Sequence, residues 1–259
     1  MKAAFKAAFK RFAYKRLRSA AFGYLCSNIQ YYLIKDEEGL QLSLIELKNI
    51  SYIKEDKTIL NDISLKLEEG DFISIMGASG SGKSTMLKIL SHLISPTSGQ
   101  VLYREKDMMS YDPILLRREI SYCVQSGSLF GRTVEDNLAF PYEARGLVMD
   151  RAAVLSMLAR FGLEADVLNE ENKNLSGGEK QRVALVRTLL LNPAVVLLDE
   201  VTSALDAENT RIVEQIIREL NESGTTILWI THSPEQSSRL ANKLLTVENG
   251  KIKSLEVLR

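Results

Sequence analysis

Two short stretches of this 259-residue chain are built to meet phosphate. In "GASGSGKST", residues 77–85, Gly77, Gly82, Lys83 and Ser84 satisfy the pattern G-x-x-x-x-G-K-[ST]. Gly77, Gly80 and Gly82 let the backbone curl with its N–H groups pointing inward, and Ala78, Ser79, Ser81 and Thr85 complete the cradle. Lys83 is expected to neutralise the β- and γ-phosphates of a nucleotide, and the Ser84 hydroxyl to ligate Mg²⁺. The second stretch, "LSGGEKQR" at 175–182, reads as a helix start with free backbone N–H groups, a hydroxyl and the positive end of a helix dipole. A helix cap accounts for Ser176. It does not account for Gly177 and Gly178, each of which costs a helix about 1 kcal/mol. One phosphate site uses one loop. Ser176, Gly177 and Gly178 are therefore expected to close over the γ-phosphate held by the loop of a second copy. ATP would then join a two-fold symmetric pair with two composite sites, and hydrolysis would open it.

Three further positions belong to the same chemistry. "AVVLLDE", residues 194–200, is an uninterrupted apolar run ending in two carboxylates. Asp199 is expected to hold the Mg²⁺ shell, and Glu200 to orient or deprotonate the attacking water. His232 closes the run "TTILWITH" and is one of two histidines. It is expected to hydrogen-bond the γ-phosphate and register its loss. Gln125 in "SYCVQSG" follows a strand-like run, and its amide is expected to reach Mg²⁺ or the attacking water. His92, inside "ILSHLI", has no such argument and reads as structural.

These residues need a scaffold that brings strand ends together. "FISIMG" reads as a buried strand entering the glycine loop, and "TMLKILSHLI" as the helix leaving it, broken by "SPTSGQ". "LSLIELKNISYI" and "TILNDISLKLEEGD" alternate like strands. After "AVVLLDE" comes the amphipathic helix "ENTRIVEQIIREL", then the strand "TTILWITH". Continuous apolar strands alternating with helices predict an α/β fold with a mostly parallel sheet covered on both faces. Switch points in such sheets lie at the carboxyl ends of strands, so the motifs converge on one crevice. Residues 126–190 are mostly helix-like and predict an inserted subdomain. In its first part Leu129, Phe130, Leu138 and Phe140 have two readings: they line a groove for a short helix of a partner subunit, or they pack the helical subdomain itself.

The formal net charge is zero, with 33 basic and 33 acidic residues, but it is unevenly spread. Residues 1–35 hold eight Lys/Arg and no acid, leaving 25 basic against 33 acidic residues over 36–259, a net of −8. Bulk charge on the main body therefore gives no footprint for nucleic acid. Cys26 and Cys123 give neither metal spacing nor a disulfide framework. No run of 18 apolar residues is present. Residues 1–41 form a basic extension in which Lys2, Lys6 and Lys10, and Phe5, Phe9 and Phe12, recur at helical spacing. Three readings stand: an anchor on anionic lipid, an inert tail, or a segment bypassed by initiation at Leu42. All three make it dispensable for ATP hydrolysis.

Gly77–Thr85, Gln125, Leu175–Gln181, Asp199–Glu200, "SALD" (203–206) and His232 occur in the order seen in ATP-binding cassette (ABC) ATPases, which residues 42–259 resemble. The resemblance implies a P-loop NTPase of the ABC ATPase type: a mostly parallel RecA-like core sheet, an antiparallel β-subdomain and an inserted α-helical subdomain at about 126–185. It implies ATP and Mg²⁺ as ligands and Tyr52 stacked on adenine. It further implies that Asp206 communicates between composite sites. It implies a homodimer of ATPase subunits working with polytopic membrane permease subunits, cytoplasmic and peripheral on the inner face of the membrane. "SYCVQSGSLFGRTVEDNLAFP" and "LLDEVTSALD" look most like the FetA-type ATPases of bacterial iron exporters. Two positions depart from the family: Glu179 stands where many members have Gln, and Ser233 where Asp is usual. A DNA-maintenance ATPase would need a long coiled-coil insertion, and a translation-linked one two cassettes; neither is present. "LSGGE" argues against a metabolic P-loop kinase.

Overall fold

The structure is a computed structural model that describes residues 43–258. The three readings of residues 1–41 lie outside them. The described residues open with an antiparallel hairpin of β1 (Ile45–Lys54) and β2 (Lys57–Leu67). Its two-residue turn, Glu55-Asp56, has positive φ at both positions, the twist-matched geometry for a tight hairpin. Next come β3 (Phe72–Met76) and α1 (Lys83–Leu90). Strands β4 (Ser98–Tyr103) and β5 (Lys106–Asp107) lead to α2 (Pro113–Glu119) and β6 (Ile120–Cys123). Three helices then intervene: α3 (Val134–Glu143), α4 (Arg151–Arg160) and α5 (Gly177–Leu189). The chain resumes as β7 (Val195–Asp199), α6 (Ala207–Glu222), β8 (Thr226–Ile230) and α7 (Pro234–Leu240), and β9 (Lys243–Glu248) and β10 (Lys251–Val257) follow.

Two sheets result. The first has the order β2-β1-β4-β5 and is antiparallel throughout. The second runs β10-β9-β3-β8-β7-β6, parallel except for β10. This is the expected mostly parallel core with an antiparallel partner sheet and a helical insertion. Each central strand serves two cores because successive side chains point to opposite faces. On β7, Val196 and Leu198 face the helical side, and Val195 and Leu197 face the antiparallel sheet. On β8, Ile227 and Trp229 divide from Leu228 and Ile230 in the same way. Each such buried side chain contributes about 1.5–3 kcal/mol, which accounts for apolar runs without polar interruption.

Two boundaries differ from the sequence reading. The helix after the glycine loop stops at Leu90, not Ile94. His92 takes a left-handed backbone (φ 53°), and the Leu93 N–H turns back to the Lys88 carbonyl. "SPTSGQ" is only partly a breaker, since Ser98 already begins β4. At Gly99 (φ 89°) an added Cβ would lie 2.4 Å from the Asn49 carbonyl oxygen, so only glycine fits against β1. The expected groove set also changes. Leu138 is fully buried in the helical core, and Leu129 packs against it half-buried. Phe130 and Phe140 are the exposed pair, edge to face at 5.0 Å. A helix side that packs on α5 turns Leu138 inward while Phe140 stays outside.

Candidate nucleotide site

Strands β3, β8, β7 and β6 are neighbours and parallel, so their carboxyl ends share one rim. β3 runs into the glycine loop, β7 ends at Asp199, β8 stops two residues before His232, and β6 two before Gln125. At Gly77 (φ 148°) a Cβ would fall 2.0 Å from the Val247 carbonyl oxygen, and at Gly82 (φ 102°) 2.6 Å from Leu60 Cδ2. The loop is therefore clamped between β9 and the hairpin, and glycine is obligatory at both points. Gly80 differs from these two. It is exposed at the loop's tip, and a Cβ there would meet nothing within 4 Å, so no close packing in this chain demands glycine. Its role is in the backbone alone: φ is 77°, which turns the loop in the left-handed region that side chains disfavour. Lys83 folds back over the loop, donating from Nζ to the carbonyls of Gly77 (2.8 Å) and Ala78 (2.9 Å). Burial lowers the Lys83 pKa, with the Glu200 and Asp199 carboxylates opposing. Tyr52 pairs in register with Leu60, the residue whose side chain abuts Gly82.

Asp199 is buried and accepts two hydrogen bonds, from Ser84 Oγ at 3.1 Å and from the Tyr122 hydroxyl at 2.8 Å. Burial, then the adjacent carboxylate, pushes the Tyr122 phenol well above its usual range, so it remains a donor. A serine hydroxyl and a carboxylate oxygen at this spacing are the hard oxygen donors that suit Mg²⁺. The residues present thus fit that ion. Glu200 stands next to this pair with a left-handed backbone (φ 49°), its N–H donating to the Ile230 carbonyl at 3.1 Å. Its two carboxylate oxygens are both engaged: Oε2 accepts from Gln125 Nε2 at 2.7 Å, and Oε1 lies 2.8 Å from His232 Nε2. Gln125 is thus brought to Glu200, and its hydrogen bond runs there and not to the Ser84–Asp199 pair.

Ser176 caps α5 reciprocally. Its Oγ accepts from the Glu179 N–H at 3.2 Å, and its own N–H donates to Glu179 Oε2 at 2.8 Å. Glu179 thus completes a capping box, and the Ser176 hydrogen bonds hold its carboxyl below the usual range. Neither glycine after it is demanded by this chain. A Cβ on Gly177 would meet nothing within 4 Å, and one on Gly178 only Leu205 Cδ2 at 3.5 Å and the Ala204 carbonyl oxygen at 3.7 Å, ordinary contacts. No hydrogen bond among the described residues joins Ser176, Gly177 or Gly178 to the glycine loop. Asp206 caps α6, accepting from the Asn209 N–H (2.8 Å) and side-chain amide (2.7 Å), which lowers its pKa. Ser233 serves α7 as a cap by accepting from the Gln236 N–H at 3.1 Å, so the departure from Asp leaves that helix start satisfied.

Two members of the site are given no role by the sequence. Tyr122 is visible only once β6 lies beside β7. Gln181, almost fully buried, packs its backbone on Gly127 and donates to the Val124 carbonyl at 3.4 Å, linking the start of α5 to the Gln125 loop. The sequence places Gln181 at the end of the Leu175–Gln181 stretch but gives it no role.

A clamped phosphate loop, a Ser–Asp oxygen pair and a held carboxylate on one rim of a parallel sheet define a nucleoside-triphosphate-hydrolysing cassette. The chain belongs to the ABC transporter family, whose model matches residues 60–203. It is 44% identical over 206 residues to the "Probable iron export ATP-binding protein FetA" of Escherichia coli (strain K12), covering 79% of this chain and 91% of the relative. It is 37% identical to the "Phosphate import ATP-binding protein PstB" of Saccharolobus solfataricus, over 76% of this chain and 81% of that one. A solved ATP-binding cassette, dimeric in a post-hydrolysis state with ADP and Pi, superposes with TM-score 0.74 at 32% identity, covering 83% of this chain and 99% of that one. The present chain is an ATP-binding, ATP-hydrolysing subunit of this family. No helix among the described residues is long and apolar enough to cross a membrane.

Proposed function

We propose that two copies of this chain close head to tail on two ATP molecules and drive export through separate membrane subunits. The observation that carries the pairing is the start of α5. Its cap is built, Gly177 faces space that its own chain leaves open, and Gly178 would bring a Cβ only into ordinary contact with Leu205 and Ala204. In this reading the loop Gly77–Thr85 of one copy binds the triphosphate, Lys83 neutralises it and Tyr52 stacks on the base. Ser176, Gly177 and Gly178 of the other copy close over the γ-phosphate. Ser84 and Asp199 would hold Mg²⁺, which would offset phosphate charge, and Gln125 would act from its contact with Glu200. Glu200 takes the proton of the attacking water, and His232 and Gln125 fix the carboxylate. Asp206, beside the partner's site, relays its state. The 44% identity to the "Probable iron export ATP-binding protein FetA" supports iron or another metal as cargo.

A groove of about 640 Å³ supports a docking site for a helix of the membrane subunit, which would hold the chain at the membrane's inner face. Exposed Leu93, Ile114 and Phe140 line it together with four arginines, 117, 118, 145 and 187, and no acidic residue. An apolar helix bearing a carboxylate is the matching partner. Residues 42–259 would form the cassette, with residues 126–185 as its helical arm.

Mixed pairs test the composite site. Pairing a Ser176→Arg subunit with a Lys83→Ala subunit leaves one intact site if Ser176 acts across the interface, and weak ATP turnover is expected. If Ser176 acted within its own chain, both sites would be broken and no turnover would return.

A further inference from the structure

The loops that carry Glu200 and His232 leave different strands, yet they must keep a 2.8 Å contact between two side chains. Beneath them lies a buried polar cluster that none of the nucleotide motifs includes. Gln236, on the first turn of α7, is 5% exposed, as is Glu214 on α6, and Thr231 is 6% exposed. The Gln236 side-chain carbonyl accepts from the Thr231 hydroxyl, and its amide donates to Glu214 Oε1 at 2.9 Å and toward Thr202 Oγ1 at 3.4 Å. All three polar functions of the amide are thereby used. Thr231 Oγ1 accepts in turn from the Ser233 N–H at 3.1 Å, closing the backbone turn that holds His232. Thr202 lies in the loop between Glu200 and Asp206, and the Leu205 N–H donates to its carbonyl at 3.1 Å. Glu214 is anchored from outside by Arg239, whose Nη2 lies 2.6 Å from both carboxylate oxygens.

We infer that Gln236 is a positioning residue: it ties the Thr202 loop to the Thr231–Ser233 turn and so holds His232 against Glu200. This rests on the roles proposed above for those two residues. The amide touches no nucleotide-binding residue. Its loss should therefore lower the turnover number and leave nucleotide affinity alone. Glu214 supplies a fixed acceptor that keeps the amide from rotating, and a half-satisfied buried network loses that orientation.

The test is a double-variant cycle on the full chain, read by steady-state ATP hydrolysis and by equilibrium ATP binding. Gln236→Leu is expected to lower kcat about tenfold, with KM and ATP affinity unchanged within about twofold. In a His232→Ala background the same change should cost less than about twofold, because it acts through His232. Exchanging the two groups, Gln236→Glu with Glu214→Gln, should recover most of the lost kcat. The carboxylate then accepts from both threonines and from the amide introduced at 214. Should Gln236→Leu fail to fold, Thr231→Val, which removes only the hydroxyl, is measured in the same cycle with the same expectation. Unchanged kcat in the folded single variant, or losses that add fully in the His232→Ala background, would overturn the inference. Normal turnover in His232→Ala alone would remove the proposed role of His232, and this inference with it.

Discussion

Replacing Glu200 by Gln isolates its proton chemistry from its shape. The residue sits at φ 49°, and Gln has the same unbranched Cβ and Cγ as Glu, so it inherits the backbone without new strain. The carboxylate has two neighbours, Gln125 Nε2 at 2.7 Å and His232 Nε2 at 2.8 Å. An amide satisfies one through its oxygen and turns its NH₂ toward the other, which loses a contact of about 1 kcal/mol. The larger loss is the base itself. A positioned general base contributes about 10²–10⁴ in rate, or about 2.7–5.4 kcal/mol of barrier. Glu200→Gln should therefore hydrolyse ATP at least about 10²-fold more slowly. ATP binding should persist, because Lys83 and the glycine loop are untouched, and the nucleotide-bound pair should accumulate. Phosphate release gives the rate, equilibrium binding the affinity, and size exclusion with ATP the pairing. Turnover within about threefold of the parent, with normal binding, would refute the assignment. Lost binding would instead mark a damaged fold.

Lys83→Ala should weaken ATP binding itself, since it removes the cation buried over the Gly77 and Ala78 carbonyls; unchanged affinity in a binding titration would count against its role. Tyr122→Phe deletes one of two hydrogen bonds that orient the buried Asp199, so the Mg²⁺ concentration needed for half-maximal nucleotide binding should rise about tenfold, and an unchanged titration would refute the assignment. Phe140→Asp, on an exposed surface of the arginine-lined groove, should leave ATP hydrolysis by the isolated chain intact while weakening co-purification with the membrane subunit. Loss of folding would show instead that Phe140 packs the helical core.

Part of this site is written in contiguous residues. The glycine loop is legible because Gly77, Gly80 and Gly82 stand in one contiguous pattern and each answers a local demand for positive φ. The cap at Ser176 is legible because a hydroxyl meets an N–H three residues on. The parallel core is legible because β7 and β8 are buried on both faces and tolerate no polar break. What the chain order conceals is which strand ends become neighbours. The order β3-β8-β7-β6 follows from crossover connections. It alone puts Tyr122 on Asp199, 77 residues away, and Gln125 on Glu200, 75 residues away. Packing of α3 on α5 likewise decides that Leu138 turns into the core while Phe140 stays outside. Gln236 shows the same limit: a polar residue on the first turn of a short helix reads as solvent-facing until α6 and the Thr202 loop close over it. Periodicity and motif spacing express the free energy of one segment in its own hydrogen bonds and burial. Contacts between segments are set by how all the buried faces pack at once, and that solution exists only in the folded sheet.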